Sequence, residues 1–344
     1  MRARSAALCV GVECGSATLC GSGRPAAPAM AHRFPDDGCL VRLGRMRDRR
    51  RRWEVIGPGT VVIGPGTGQW QWRGLFEDLL AYQGDGWAGD VILPWAQQHA
   101  SVIAELHAIG APDNHRARVT WRRGDYSALE GLYALSRVLD VLAAPHQPVN
   151  QDPALLSWIN GRPWWTGRIP DQGALPAFAD AIGAARISEE KFHPFFHEIS
   201  AVEPASDPDA PVELVAEVWP GYLAGSLLLG RAGVIVRAGS AALDPQIAAR
   251  SCLYWAWWRR NRTTADRSHG WGANSQWGTD FRRDYVAGGQ LHYNIDGYKN
   301  RPSASDGDLS GAAAWELLRH RCSAHDDLGR DRWPWHLTLT EPAP

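Results

Sequence analysis

Between Thr279 and Asp296 the chain alternates apolar and polar residues on both sides of Ala287-Gly288-Gly289, and this pattern limits the fold more than any other stretch. Phe281 and Tyr285 share one face of the first run, and Leu291, Tyr293 and Ile295 share one face of the second. In a sheet with one buried face, a two- or four-residue connection pairs Tyr285 with His292 and sets apolar against polar along the whole ladder. A three-residue loop, Ala287-Gly288-Gly289, instead pairs Tyr285 with Leu291 and Phe281 with Ile295. That register is the expected one. It places Asp280, Arg282 and Asp284 opposite Asp296, Asn294 and His292 on a shared polar face, and Arg283 alone interrupts the apolar one.

The residues before the hairpin add recognition chemistry. Trp271, Asn274, Gln276 and Trp277 lie among Gly270, Gly272 and Gly278, and glycines at such positions let a ligand approach the backbone closely. The candidate binding set is therefore Trp271, Asn274, Gln276, Trp277, Arg282 and Asn294. Asp284, His292 and Asp280 are the candidate acid–base groups. Further upstream, Asp244-Pro245 reads as an N-cap and first helical residue of a helix running to about Arg260. Its apolar residues, Ile247, Trp255 and Trp258 on one side and Leu253, Tyr254 and Trp257 elsewhere, predict a central helix buried all round.

The remainder of the chain supplies helices first and strands later, which predicts an α+β protein: a helix-rich N-terminal half and a mainly antiparallel sheet in the C-terminal half. Helices are expected over 75–82, 94–109, 128–143, 175–182 and 309–322, and strands over 197–203, 212–219 and 234–238. Residues 1–52 form a basic tail, 53–150 a helix-rich part, 151–173 a Pro/Gly-rich connection, and 174–324 a sheet-bearing part around the aromatic helix. Residues 325–344 are expected to be irregular.

Composition excludes several classes of function. Residues 1–52 hold 11 of the 36 basic residues and only 4 of the 37 acidic ones, so the body that follows is acidic and unlike a nucleic-acid binder. The basic residues are nearly all arginine, with many Ala, Gly and Pro and 18 Trp, as GC-rich bacterial codon usage would give. Four of the six cysteines, Cys9, Cys14, Cys20 and Cys39, lie in the tail, and none has metal-binding spacing. A cytoplasmic protein without a disulfide framework is expected, and no apolar run reaches the ~20 residues of a membrane span. The repeated VIGPGT at 55–60 and 62–67 resembles a phosphate loop only in its glycines, because Gln69 and Trp70 stand where Lys and Ser/Thr would act. His193 and His197 are four apart but flank Pro194, so no metal is expected there. No cofactor signature and no nucleophile elbow occur. Two readings remain: a binding protein recognising a protein partner or a small polar ligand, and a hydrolase on a glycan-like or other polar substrate using Asp280, Asp284 and His292.

Overall fold

Trp72, Leu75, Phe76 and Leu79 recur at helical spacing and are buried, so α1 (Gly68–Ala81) turns one stripe inward and leaves Trp70 and Glu77 in solvent. The computed structural model describes residues 68–116, 127–147, 168–250, 270–272, 279–302, 311–322, 324–325, 331–332, 334 and 336–344, all within a unit spanning Arg50–Pro344. The basic tail, the VIGPGT repeat, most of the Pro/Gly-rich connection and the expected aromatic helix from residue 251 onward, with Trp255, lie outside the described residues.

After α1 a π-helical turn, Trp87–Ile92, runs into α2 (Leu93–Gln98) and then α3 (Ala100–Ile109). The single helix expected over 94–109 is broken at His99, whose φ of −114° and ψ of 33° leave the helical region. The His99 imidazole stacks on Trp95 and its Nδ1 donates to the Trp95 carbonyl at 2.9 Å, so the ring competes with the backbone for that acceptor. α4 (Ser127–Ala143) is the enclosed centre of the layer. From Ala128 onward nearly every residue is buried, including Arg137 and Asp140, which pair at 2.7 Å one turn apart. Those charged residues, with Ser136, disguise a helix buried all round. α5 (Ala174–Ala181) completes this layer.

The C-terminal half carries two principal sheets, besides a short antiparallel ladder of β11 (Ala324–His325) and β12 (Asp331–Arg332). β1 (Ala185–Arg186), β4 (Tyr222–Ala224), β5 (Leu227–Gly230), β9 (Tyr285–Ala287), β10 (Gln290–Tyr293) and β13 (Leu339–Pro342) form a six-stranded antiparallel sheet in the order β1-β4-β5-β9-β10-β13. β2 (His197–Pro204), β3 (Glu213–Trp219) and β6 (Ala232–Ala238), the strands read from sequence, form a separate sheet in which β2 runs parallel to β6. Adjacent strands in sequence are thus not all neighbours in one antiparallel sheet, because the chain leaves β3 for β4 and β5 before returning in β6. The fold is α+β. β13 corrects the expectation of an irregular C-terminus: Leu339 is too short a signal to read alone, and pairing with β10 defines it.

The middle of the large sheet is buried on both faces. Leu227, Leu229 and Tyr285 face the helical layer, whereas Leu228, Leu291 and Tyr293 face Ala314 and Leu318 of α7 (Gly311–His320) together with Phe195 and Phe196. The small sheet rests Val234 and Val236 on Leu243 and on Ala248 of α6 (Pro245–Arg250). Gly110 lets α3 end against the large sheet, since a Cβ there would overlap the Ala224 carbonyl oxygen. Among the described residues no helix is long and apolar enough to cross a membrane.

Candidate functional site

The hairpin register is corrected by the structure. Gln290 pairs with Ala287, Leu291 with Val286 and His292 with Tyr285, around a two-residue turn of Gly288 (φ 60°) and Gly289 (φ 70°). Two successive positive φ values are those of a type I′ turn, which matches the strand twist without a bulge. The parity argument assumed one buried face. With both faces covered, Tyr285 and His292 can share the side toward the helices while Val286 and Leu291 share the other. Alternation then stops at Asn294, which takes φ 47° and turns Ile295 toward the helical core, opposite to Tyr293.

The expected polar face is consequently an interior. Asp284 is fully buried: its Oδ1 accepts from Arg282 Nε at 2.9 Å and from the Asn294 backbone N–H at 2.6 Å, and its Oδ2 lies 3.3 Å from Arg321 Nε. Arg321 Nη2 donates to the Arg282 carbonyl at 2.9 Å, and its guanidinium covers the Phe281 ring. Burial weakens the proton affinity of Arg321, Asp284 opposes that and Arg282 adds to it. Arg283, the residue that broke the apolar pattern, is buried in a bidentate pair with Asp296 at 2.8 and 2.6 Å. Asp296 holds that proton firmly against the cost of burial. Asn294 Nδ2 donates to the Leu337 carbonyl at 2.7 Å. Arg282, Asp284 and Asn294 therefore tie β9, β10, the end of α7 and the chain before β13 together. Carboxylates held this way are structural first.

His292 stands apart from that network. It lies near Thr340 Oγ1 at 3.2 Å, the Ala287 carbonyl at 3.4 Å and the ring of His115 at 4.4 Å between centroids. Asp284 and His292 share no partner among these contacts. Burial first, then His115, lowers the His292 pKa from its ordinary value.

Two of the remaining candidates, Trp271 and Asp280, belong to a different ladder. β7 (Gly270–Gly272) pairs antiparallel with β8 (Thr279–Phe281), so Trp271 and Asp280 are cross-strand neighbours. Their connection, residues 273–278, contains Asn274, Gln276 and Trp277, which lie outside the described residues, as do the side chains of Trp271 and Asp280. β8 packs against α4, the enclosed helix. The structure thus brings Trp271 and Asp280 to one ladder and removes Arg282, Asp284, Asn294 and His292 from it.

Sequence reasoning missed Arg231, Glu198 and Arg321. Arg231, between β5 and β6, donates from Nη1 to the His320 carbonyl at 2.6 Å and to the His197 carbonyl at 3.3 Å, and its Nη2 lies 3.4 Å from Glu198 Oε2. It joins the two sheets to the C-terminal end of α7. His193 and His197 use their Nδ1 atoms within the local chain: His193 Nδ1 accepts from the Phe195 N–H at 3.2 Å and His197 Nδ1 from the His193 N–H at 3.0 Å. Burial lowers the His197 pKa to about 4. Among the described residues no group of three or more His, Cys, Asp or Glu side chains is placed to hold a metal ion.

One cleft is lined by described residues of α1, α3 and α4, including Trp72, Leu106, Leu132 and a single ionisable group, Glu105, whose pKa burial raises. It encloses about 270 Å³ even counting space open to solvent, below the roughly 300–1,000 Å³ usual for small-molecule sites. No protein-family model, no curated protein and no solved structure matches the chain.

Proposed function

We propose that this chain is a binding protein that recognises a protein partner through the tip of the β7–β8 hairpin. The observation that supports it is the pairing of Trp271 with Asp280 in a short ladder, which makes residues 273–278 a hairpin connection carrying Asn274, Gln276 and Trp277. Tryptophan and amide side chains at the end of a ladder anchored on α4 supply aromatic area and adaptable hydrogen bonding, the chemistry of interface hot spots. The hydrolase reading asks Asp284 and His292 to act together. Asp284 is enclosed in ion pairs and His292 faces His115, so binding is the better supported activity. A cytoplasmic setting belongs to the same reading and rests on the cysteine pattern: four of the six cysteines lie in the tail, and Cys322 is buried.

A photo-crosslinking amino acid at position 275, between Asn274 and Gln276 in the sequence, introduced in the producing cell, tests this reading. A discrete crosslinked partner, lost from the Asn274→Ala/Gln276→Ala variant, is the expected result. Crosslinks no more frequent or discrete than those from position 207, in an exposed loop of the small sheet, would overturn it.

A further inference from the structure

α3 ends in a 3₁₀ turn, Pro112–Arg116, that lies against β9 and presents His115 to the ring of His292, with centroids 4.4 Å apart and planes inclined by 31°. The partners fix the protonation of both rings. His115 Nδ1 lies 2.5 Å from the Pro112 carbonyl, so it carries the hydrogen, and Nε2 accepts from Arg116 Nε at 3.3 Å. His292 Nε2 faces the Ala287 carbonyl and donates, which leaves Nδ1 to accept from the Thr340 hydroxyl. Both imidazoles are neutral in this arrangement. Adding a proton at His115 Nε2 removes the acceptor that Arg116 uses, and adding one to His292 sets a second cation against His115 and Arg116.

We infer that the His115–His292 contact is an acid-sensitive latch that docks the Pro112–Arg116 turn on the large sheet when both rings are neutral and releases it when they are protonated. Among the described residues, no carboxylate is among the groups that act on His292. From the turn itself the charged groups are Arg116 and the exposed Asp113. From β9 the facing group is Tyr285, whose hydroxyl donates to the Ile109 carbonyl at 2.9 Å. From β13 it is Thr340, paired with His292, while Glu341 pairs with Leu291 and so lies on the opposite face, held by Tyr293 and Arg319. The lowered pKa of His292, caused by burial and then by His115, agrees in sign. Release has a structural consequence beyond the turn, because Asn114 Nδ2 donates to the carbonyls of Ala108 and Ile109 and so closes the C-terminal end of α3.

Hydrogen exchange of the full chain, corrected for intrinsic rates, tests the latch. Protection of the amides of residues 113–116 should fall about tenfold between about pH 7.5 and about pH 5, the order expected when like charges meet at this distance in a partly exposed setting. Amides of β5 should change less. In His292→Gln, which stays neutral, the local response should disappear while the pH dependence of global unfolding remains. In Arg116→Gln, where one repelling charge is gone, the fall should shift to lower pH. Equal pH responses at residues 113–116 in the parent and His292→Gln proteins would overturn the proposal, as would a nuclear magnetic resonance titration placing His292 at or above the ordinary pKa.

Discussion

Two hairpins only a few residues apart in sequence have opposite relations to the rest of the molecule. β9–β10 is an interior strand pair, covered on both faces, with charged residues neutralised by one another. β7–β8 is a separate two-stranded ladder held by β8 on α4 and closed by a connection rich in Trp, Asn and Gln. The difference teaches that polar density in a sequence marks two unlike things. Where a sheet is sandwiched, charged residues close a network that ties strands together; in the glycine-flanked stretch between β7 and β8, the same kind of polar and aromatic residues carry the proposed recognition.

The sharpest way to break this comparison is Asp284→Ala. If β9–β10 is held by its ion pairs, removing the carboxylate leaves Arg282 and Arg321 buried without their anion and should cost about 3 to 5 kcal/mol in chemical denaturation. A loss below about 1 kcal/mol would show that Asp284 is open to water, and the two hairpins would then be alike.

Acid should act on the same interior. His197 has a folded-state pKa of about 4, below the roughly 6.5 of an unfolded histidine, so the native state binds fewer protons. Its stabilisation is complete above about pH 6.5 and is lost as pH falls toward 4, by about 2 kcal/mol at about pH 5. Burial shifts His320 in the same direction, so the effects reinforce one another. Thermal denaturation midpoints of the parent and His197→Gln proteins across this range should converge as pH falls. Parallel curves would place the acid sensitivity elsewhere.

Much of the fold was legible because helices need only their own periodicity. Leu129, Leu132 and Leu139 announce α4, and the strands β2, β3 and β6 were read to within a few residues of their ends. The candidate site was less legible. Register depends on how many faces of a strand are buried, and that is a property of α7 and the helical layer rather than of residues 279–296. Asn294 added a second obstacle, since a left-handed residue reverses the alternation after it and asparagine is only modestly marked for that role. β4 and β5 escaped notice because Leu227, Leu228 and Leu229 are buried on both faces and show no alternation at all.

Smaller substitutions sharpen the comparison. Gly288→Asn should change stability by no more than about 0.5 kcal/mol, because asparagine suits the first central position of a type I′ turn and a Cβ there meets nothing within 4 Å. A three-residue loop would not share that tolerance, so a loss above about 2 kcal/mol would speak against the two-residue turn. Trp277→Ala should alter stability least, by less than about 0.5 kcal/mol in denaturant, while abolishing partner crosslinking. If it unfolds the protein, the tip of β7–β8 is core and the contrast between the hairpins fails.

α7 closes with the Cys322 N–H bonded to the Leu317 carbonyl at 3.1 Å and the Arg321 N–H to the Leu318 carbonyl at 3.3 Å, the paired bonds of a Schellman cap. The left-handed position in that cap belongs to Arg321, at φ 52°, where glycine would relieve roughly 1 kcal/mol of backbone strain. Yet only a long guanidinium reaches from there to Asp284 and the Arg282 carbonyl. Main chain and side chain therefore ask for different amino acids at one site, and no single replacement satisfies both. Position 321 is a compromise whose two halves can be separated: Arg321→Gly gives up the contacts with Asp284 and the Arg282 carbonyl but leaves Asp284 paired with Arg282, so relief of the main chain offsets part of the side-chain loss, whereas Arg321→Ala incurs that loss alone.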